Sequence, residues 1–342
     1  MTDYAQQAYW AAFAVTPDTL NLAAGFYPWS NPVWTVQDLP NNEKEVKACL
    51  ETILEKAKEV QRPPRIICES AWIFHRLLER YAGELGIPLC LVTPNRLHMF
   101  ASNEGKRLRP NEMDPALILR YAFTNSPEAT PYDAWRAKLR DTVGLCDQYL
   151  QDLEQYQTRL RMTAGELPVA SMKRQIANLE KEIEVLKQDC AEAIAQRESI
   201  DPRIKPLRDE GELDPYTIAV LMAYFDELGT LGRKKVACLL GVVPQSNQGR
   251  QAGDSNNRSG RVLVRRALYQ VVANRIASHH PVTFRRYEAL IDPNRANGPM
   301  NFRAASFALI HGLICHLESI ARHALAETGY IPSTARVAPK DA

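Results

Sequence analysis

Over the first 125 residues the apolar positions fall in short blocks, and after them they lengthen into helical stripes. FAVTPDTLNLAAGF and PVWTVQDL are apolar runs bounded by Pro and Gly, which predicts a hairpin of strands. EKEVKACLETILEKAKEV follows, with Val46, Leu50, Ile53, Leu54 and Ala57 on one face of a 3.6-residue period. The tetrapeptide QRPP stops that helix, and RIICES is a short continuous apolar run of the buried-strand type. AWIFHRLLERYAGELG reads as a helix closed by Gly86, and PLCLVTP as another buried strand. Strands and helices in this order predict an α/β domain over residues 1–125.

Residues 126–200 change period. Met172, Ile176, Leu179, Ile183, Leu186 and Cys190 are spaced alternately four and three apart, an a/d seam, with charged residues around it. Leu145, Tyr149, Leu153, Tyr156 and Leu160 form a second stripe, and GELP at 165–168 separates the two. A helical hairpin is expected, and the seam leaves two pairings open: one helix against the other within the chain, or a coiled coil between copies. Residues 201–342 read as mostly helical, interrupted by the polar stretch QSNQGRQAGDSNNRSG at 245–260. No internal repeat is visible.

Composition changes this picture little. The chain has 342 residues, 45% hydrophobic and 24% charged, with a formal charge of +2, so any electrostatic footprint is local. No signal segment and no run of about 18 apolar residues is visible. The seven cysteines contain no CxxC pair, which fits a reducing compartment and predicts a cytoplasmic protein without disulfides or a zinc site.

Two places carry candidate chemistry. Between Gln245 and Arg275 stand Arg250, Arg258, Arg261, Arg265, Arg266 and Arg275, against the single acid Asp254. Arginine with small polar neighbours is the inventory that contacts phosphate, so nucleic acid is the expected partner. In the α/β region, Glu69 ends the strand RIICES, where open sheets place ligands, and Asp114 begins a helix. Carboxylates at such positions can hold divalent metal for phosphodiester chemistry, and they serve equally as caps or ion-pair partners. His279 and His280 lack acids or cysteines at ligand spacing and are expected to close a helix before Pro281.

The run from Ile66 to Ala122 resembles the DEDD, RuvC-like catalytic domain of bacterial insertion-sequence transposases that include the pilin-gene invertases. Its marks are Glu69-Ser70-Ala71-Trp72, Thr93-Pro94 and Arg109-Pro110-Asn111-Glu112-Met113-Asp114. The run KKVACLLGVVPQ…RSGRVLVRRALYQ resembles the same family's second, serine-bearing domain. The resemblance implies an RNase H-like (RuvC-like) α/β domain, a central helical hairpin and a helical C-terminal domain with a basic loop. It also implies DNA transposition or inversion, a structured guide RNA, a homo-oligomer, and Mg²⁺ held by Glu69 and Asp114, with Asn111 in a third acid's place. Ser246 is the nearest hydroxyl to the family's nucleophilic serine.

The sequence departs from that pattern where chemistry would occur. The family's first Asp falls at Ala14 or Val15, and its Ser-Gly pair reads Gln248-Gly249, with Ser255 and Ser259-Gly260 out of register. Glu210-Gly211-Glu212-Leu213-Asp214 stands where a glycine-rich turn would present amides to phosphate. The expectation is a transposase-family protein with weakened or lost catalysis; the alternative is a non-catalytic, domesticated regulator or architectural protein that binds nucleic acid, and a remoter one an assembly protein built on the coiled coil.

Overall fold

A computed structural model describes residues 7–27, 32–70, 74–105, 113–242, 261–296 and 298–332. The chain divides into two units, one ending at Ala134 and one beginning at Trp135. The first is an α/β unit and the second is helical.

The first unit is built on β1 (Tyr9–Val15), β2 (Thr19–Gly25), β3 (Trp34–Pro40), β4 (Pro64–Glu69) and β5 (Leu89–Val92), in the order β3-β2-β1-β4-β5. The run FAVTPDTLNLAAGF is two strands rather than one. Thr16 and Thr19 hydrogen-bond across the turn through backbone and hydroxyl, and Trp10 to Val15 return against Leu20 to Gly25. β2 and β3 pair antiparallel, with a bulge between Leu20 and Leu22. β1, β4 and β5 run parallel, Tyr9 opposite Pro64 and Ile66 opposite Leu89. Parallel pairing needs a crossover between strands, and α1 (Glu43–Glu59) and α2 (Arg76–Glu84) supply it. Asn42 caps α1 by accepting from the Glu45 amide, with Glu43 in the first turn and Lys56 and Lys58 in the last, as the helix dipole favours.

The sheet is covered on both faces, which is why β1 reads YWAAFAV without a charge. Tyr9, Phe13 and Val15 pack against Leu50 and Ile53 of α1 and Leu78 of α2. Trp10, Ala12 and Ala14 face Leu97 of α3 (Pro94–Asn103) and Ile118 and Ala122 of α4 (Pro115–Asn125). Gly83 sits inside α2 because the Tyr132 ring lies against it, where a methyl group would overlap the ring.

The second unit opens with a helical hairpin, α5 (Ala134–Met162) and α6 (Glu166–Arg197). Gly165, at φ 98°, makes the turn between them. The hairpin shares one core with the helices that follow: α7 (Ile204–Asp209), α8 (Pro215–Tyr224), α9 (Arg233–Leu240), α10 (Val262–Ala277), α11 (Pro281–Ile291) and α12 (Phe302–Thr328). Leu139 and Val143 of α5 and Cys190 and Ile194 of α6 lie in that core. The outer seam is less well covered: Leu153, Leu160, Ile176 and Leu179 are half-buried, and Met162 and Leu167 are exposed. α8 is buried from Thr217 to Ala223 and forms the middle of the unit. Among the described residues α12 alone is long and apolar enough to cross a membrane, but its Leu309, Ile310, Ile314 and Leu317 are spent on this core.

Candidate functional site

The first candidate site lies at the C-terminal edge of the parallel strands. Phe13 pairs with Cys68, and continuing that register brings Ala14 alongside Glu69. Ala12, Ala14 and Ile67 all face α3 and α4, so alternation turns Glu69 to the same side. Glu69 is half-buried; burial raises its carboxyl above the ordinary value, and His98 of α3 opposes that shift. A carboxylate held there against its solvation preference is the kind of group that functional sites retain.

Asp114 also reaches this face, at the start of α4, which packs on β1, β2 and β4. Its role is defined by geometry: Oδ1 accepts the Ala116 amide at 2.8 Å, and the residue is the N-cap of a helix with Pro115 at its first position. Ala14 supplies no donor atom and Val15 is turned to the opposite core. Among the described residues no three His, Cys, Asp or Glu side chains gather closely enough to hold a metal ion. The described part of this corner, with Glu69 beside Ala14 and Asp114 engaged as a helix cap, offers too few anionic oxygens for an Mg²⁺ pair. Asn111 lies outside the described residues.

The basic stretch behaves differently from its composition. Arg250, Arg258 and Ser246 lie outside the described residues, and the other four arginines are each engaged by groups of this chain. Arg261 forms a two-pronged pair with Glu227, donating at 2.8 and 2.5 Å, and also bonds the Tyr224 carbonyl. Its guanidinium lies over the Phe225 ring. Arg265 donates to the Leu240 carbonyl at 3.0 Å. Arg266 pairs with Asp147 of α5, and Arg275 donates to the Gly211 carbonyl at 2.7 Å and pairs with Glu212. Burial lowers both Arg265 and Arg275 from the usual guanidinium value. These side chains pin α10 to α5, α8 and the 210–214 turn, and Arg261, Arg266 and Arg275 each meet a carboxylate. A cleft of about 680 Å³ beside Arg266 is no more basic, since Lys187 and Arg266 face Asp147, Glu154 and Asp214.

The acidic turn is likewise explained from within. Glu212, at φ 48°, accepts from His280 Nε2 at 2.8 Å as well as from Arg275. His280 Nδ1 accepts the Thr283 amide, so His280 is the N-cap of α11. The histidine pair closes α10, as expected: His279, at a left-handed φ of 53°, donates its amide to the Ile276 carbonyl and packs on Phe284, and His280 donates its amide to the Arg275 carbonyl while also starting the next helix.

One polar cluster gave no signal in the sequence. Arg203, 1% exposed, donates to both carboxyl oxygens of Asp201 and to Asp226 Oδ1, and Arg136 of α5 reaches Asp226 Oδ2 at 2.5 Å. Two arginines and two aspartates balance one another in the interior, and the Asp226 and Leu228 carbonyls accept the remaining Arg203 donors. Only the spacing Asp201-Pro202-Arg203 was visible beforehand, and nothing in it marks burial.

No protein-family model matches the chain, and no curated protein matches it significantly.

Proposed function

We propose that this chain is a nucleic-acid-binding protein of the transposase–recombinase line whose α/β unit is RNase H-like and no longer cleaves DNA. The observation that carries this reading is the strand order β3-β2-β1-β4-β5, antiparallel on one side and parallel on the other, with Ala14 beside Glu69 at the edge where the resembled family holds metal. Three acids would be needed there to bind Mg²⁺ tightly. One position is an alanine, Asp114 caps a helix, and Glu69 remains. The partner is DNA, with a structured RNA as the second nucleic acid the resemblance implies. Copies associate through the outer seam of the hairpin, whose apolar residues are half covered in one chain. Seven free thiols, five of them buried, suit a reducing cytoplasm.

The test is binding and cleavage in one titration. Labelled duplex DNA, single strands and co-purified RNA are mixed with the full chain, with and without Mg²⁺, beside a Glu69→Ala/Asp114→Ala variant. Salt-sensitive binding without nicking is expected. Metal-dependent nicking, or a covalent protein–DNA band, that the variant loses would restore an active recombinase.

A further inference from the structure

We propose that the outer face of α12, between α9 and α11, is the strip that docks the phosphate backbone of duplex DNA. This deepens the nucleic-acid reading above and rests on it. Arg286 of α11 reaches over α12 at Gly312: its Nη1 lies 3.7 Å from where a Cβ would stand. One turn further along the same face, the Cys315 thiol lies 3.8 Å from the Arg233 carbonyl, so α9 borders the face on its other side. Arg233, Lys234 and Lys235 are all exposed in the first turn of α9.

These four cations differ from the arginines of α10. Among the described residues none of them has a hydrogen-bond or ion-pair partner for its side chain, whereas Arg261, Arg266 and Arg275 each meet a carboxylate. No acid lies on α12 from Phe302 to Leu317, and the first one, Glu318, is turned inward onto the Gly229 amide and Arg322. Three adjacent cations at the start of a helix also sit where its dipole disfavours positive charge. An unneutralised, exposed group of this sign, in a chain of charge +2, is the electrostatic footprint of a polyanion.

The face itself selects the kind of polyanion. Its outward residues Ala304, Ala308, Cys315 and Ser319 are short and Gly312 has no side chain, so between the larger His311 and His316 a backbone can approach α12 closely. The exposed ring at the start of α12, Phe302, is held edge-on against Tyr287 of α11, and the positions from Ala304 to Ser319 that face outward carry no Phe, Tyr or Trp on which single strands would stack their bases. Contacts to phosphates alone suit a duplex bound without reading its sequence.

The experiment compares the full chain with Arg286→Glu and with the triple variant Arg233→Glu/Lys234→Glu/Lys235→Glu, measuring affinity for duplex DNA of two unrelated sequences against salt. Arg285→Glu is the control: it is equally exposed and unpartnered but lies about 100° round α11. The strip variants should lose roughly tenfold or more in affinity on both sequences alike, and the triple variant should flatten the log–log salt slope by about 1 for each of its cations that reaches a phosphate. Arg285→Glu should bind as the parent does. Melting curves keep the result interpretable, because acids in the first turn of α9 should leave the midpoint equal or higher. If the parent binds and the strip variants bind equally well, the strip is overturned and the broader reading stands. If Arg285→Glu loses as much as Arg286→Glu, the effect is general charge and the strip is overturned as well. If the parent binds no nucleic acid at all, both fall together.

Discussion

Glu69 carries the clearest consequence at the level of single residues. Its carboxyl is raised by burial, so the folded state holds that proton more tightly than the unfolded state does. The stability it contributes is present at acid pH and is lost as pH rises through the raised value. Glu69→Gln is therefore expected to melt at a higher temperature than the parent at pH 7, and the advantage should vanish once pH falls below the ordinary carboxylate range. Melts at the two pH values check this, and equal midpoints at pH 7 would mean the group is well solvated. Arg266 offers a second test. Because it pairs with Asp147, Arg266→Glu should destabilise by placing two acids together, and Asp147→Arg in the same chain should restore the pair. A double-mutant cycle should give a coupling of about 0.5–1 kcal/mol, since Arg266 is partly exposed. These arginines also show where residue-level reading stopped. Their number and the scarcity of acids near them in sequence were legible, but Glu227, Asp147 and Glu212 come from other elements, and only the fold brings them into contact.

Elements were more legible than side-chain partners. The helix at Glu43–Glu59 follows from its apolar face and Asn42, the strands at β4 and β5 from continuous apolar runs, and the start of α4 from Asp114 and Pro115. The β1–β2 turn was missed although Pro17-Asp18 marks it: it lacks the glycine or asparagine that usually announces a tight hairpin, and Thr16 and Thr19 close it through their own hydroxyls. Gly83 makes a prediction at this scale. Alanine is the better helix former by about 1 kcal/mol, yet Gly83→Ala should destabilise the first unit by about 1–3 kcal/mol, because the Tyr132 ring would have to move. Chemical denaturation of this variant and of Gly83→Ala/Tyr132→Ala separates the two effects: the second change should relieve the first. For the hairpin, sedimentation of Ile176→Glu and Leu153→Glu reads the seam. Both should shift the chain toward monomer if copies pair there, while Lys173→Glu, an exposed position, should not.

At the scale of the whole chain, each unit has its own core, and the covered sheet and the helical array were both foreseen as classes. The hairpin was expected as a module of its own, and it shares its inner end with the C-terminal helices through Leu139, Val143, Cys190 and Ile194. The Arg203 cluster lies wholly in the second unit. Asp226→Ala would leave Arg203 and Arg136 without their shared carboxylate in the interior, at a cost of about 3–5 kcal/mol. Calorimetry is expected to show this loss in the transition of the helical unit, with that of the sheet unit unmoved; a uniform shift would mean the two units unfold as one.

The parallel pairing of β1 with β4 also governs how the protein is made. β1 and β2 leave the ribosome together and can close at once, but the other edge of β1 waits until β4 emerges, with β3 and α1 synthesised in between. During that interval a seven-residue apolar strand, YWAAFAV, presents an open row of amides and carbonyls with no charge to deter a second chain. Newly made or refolding molecules are thus most prone to self-association early, and yield on refolding should fall with concentration more steeply than the stability of the finished fold would suggest.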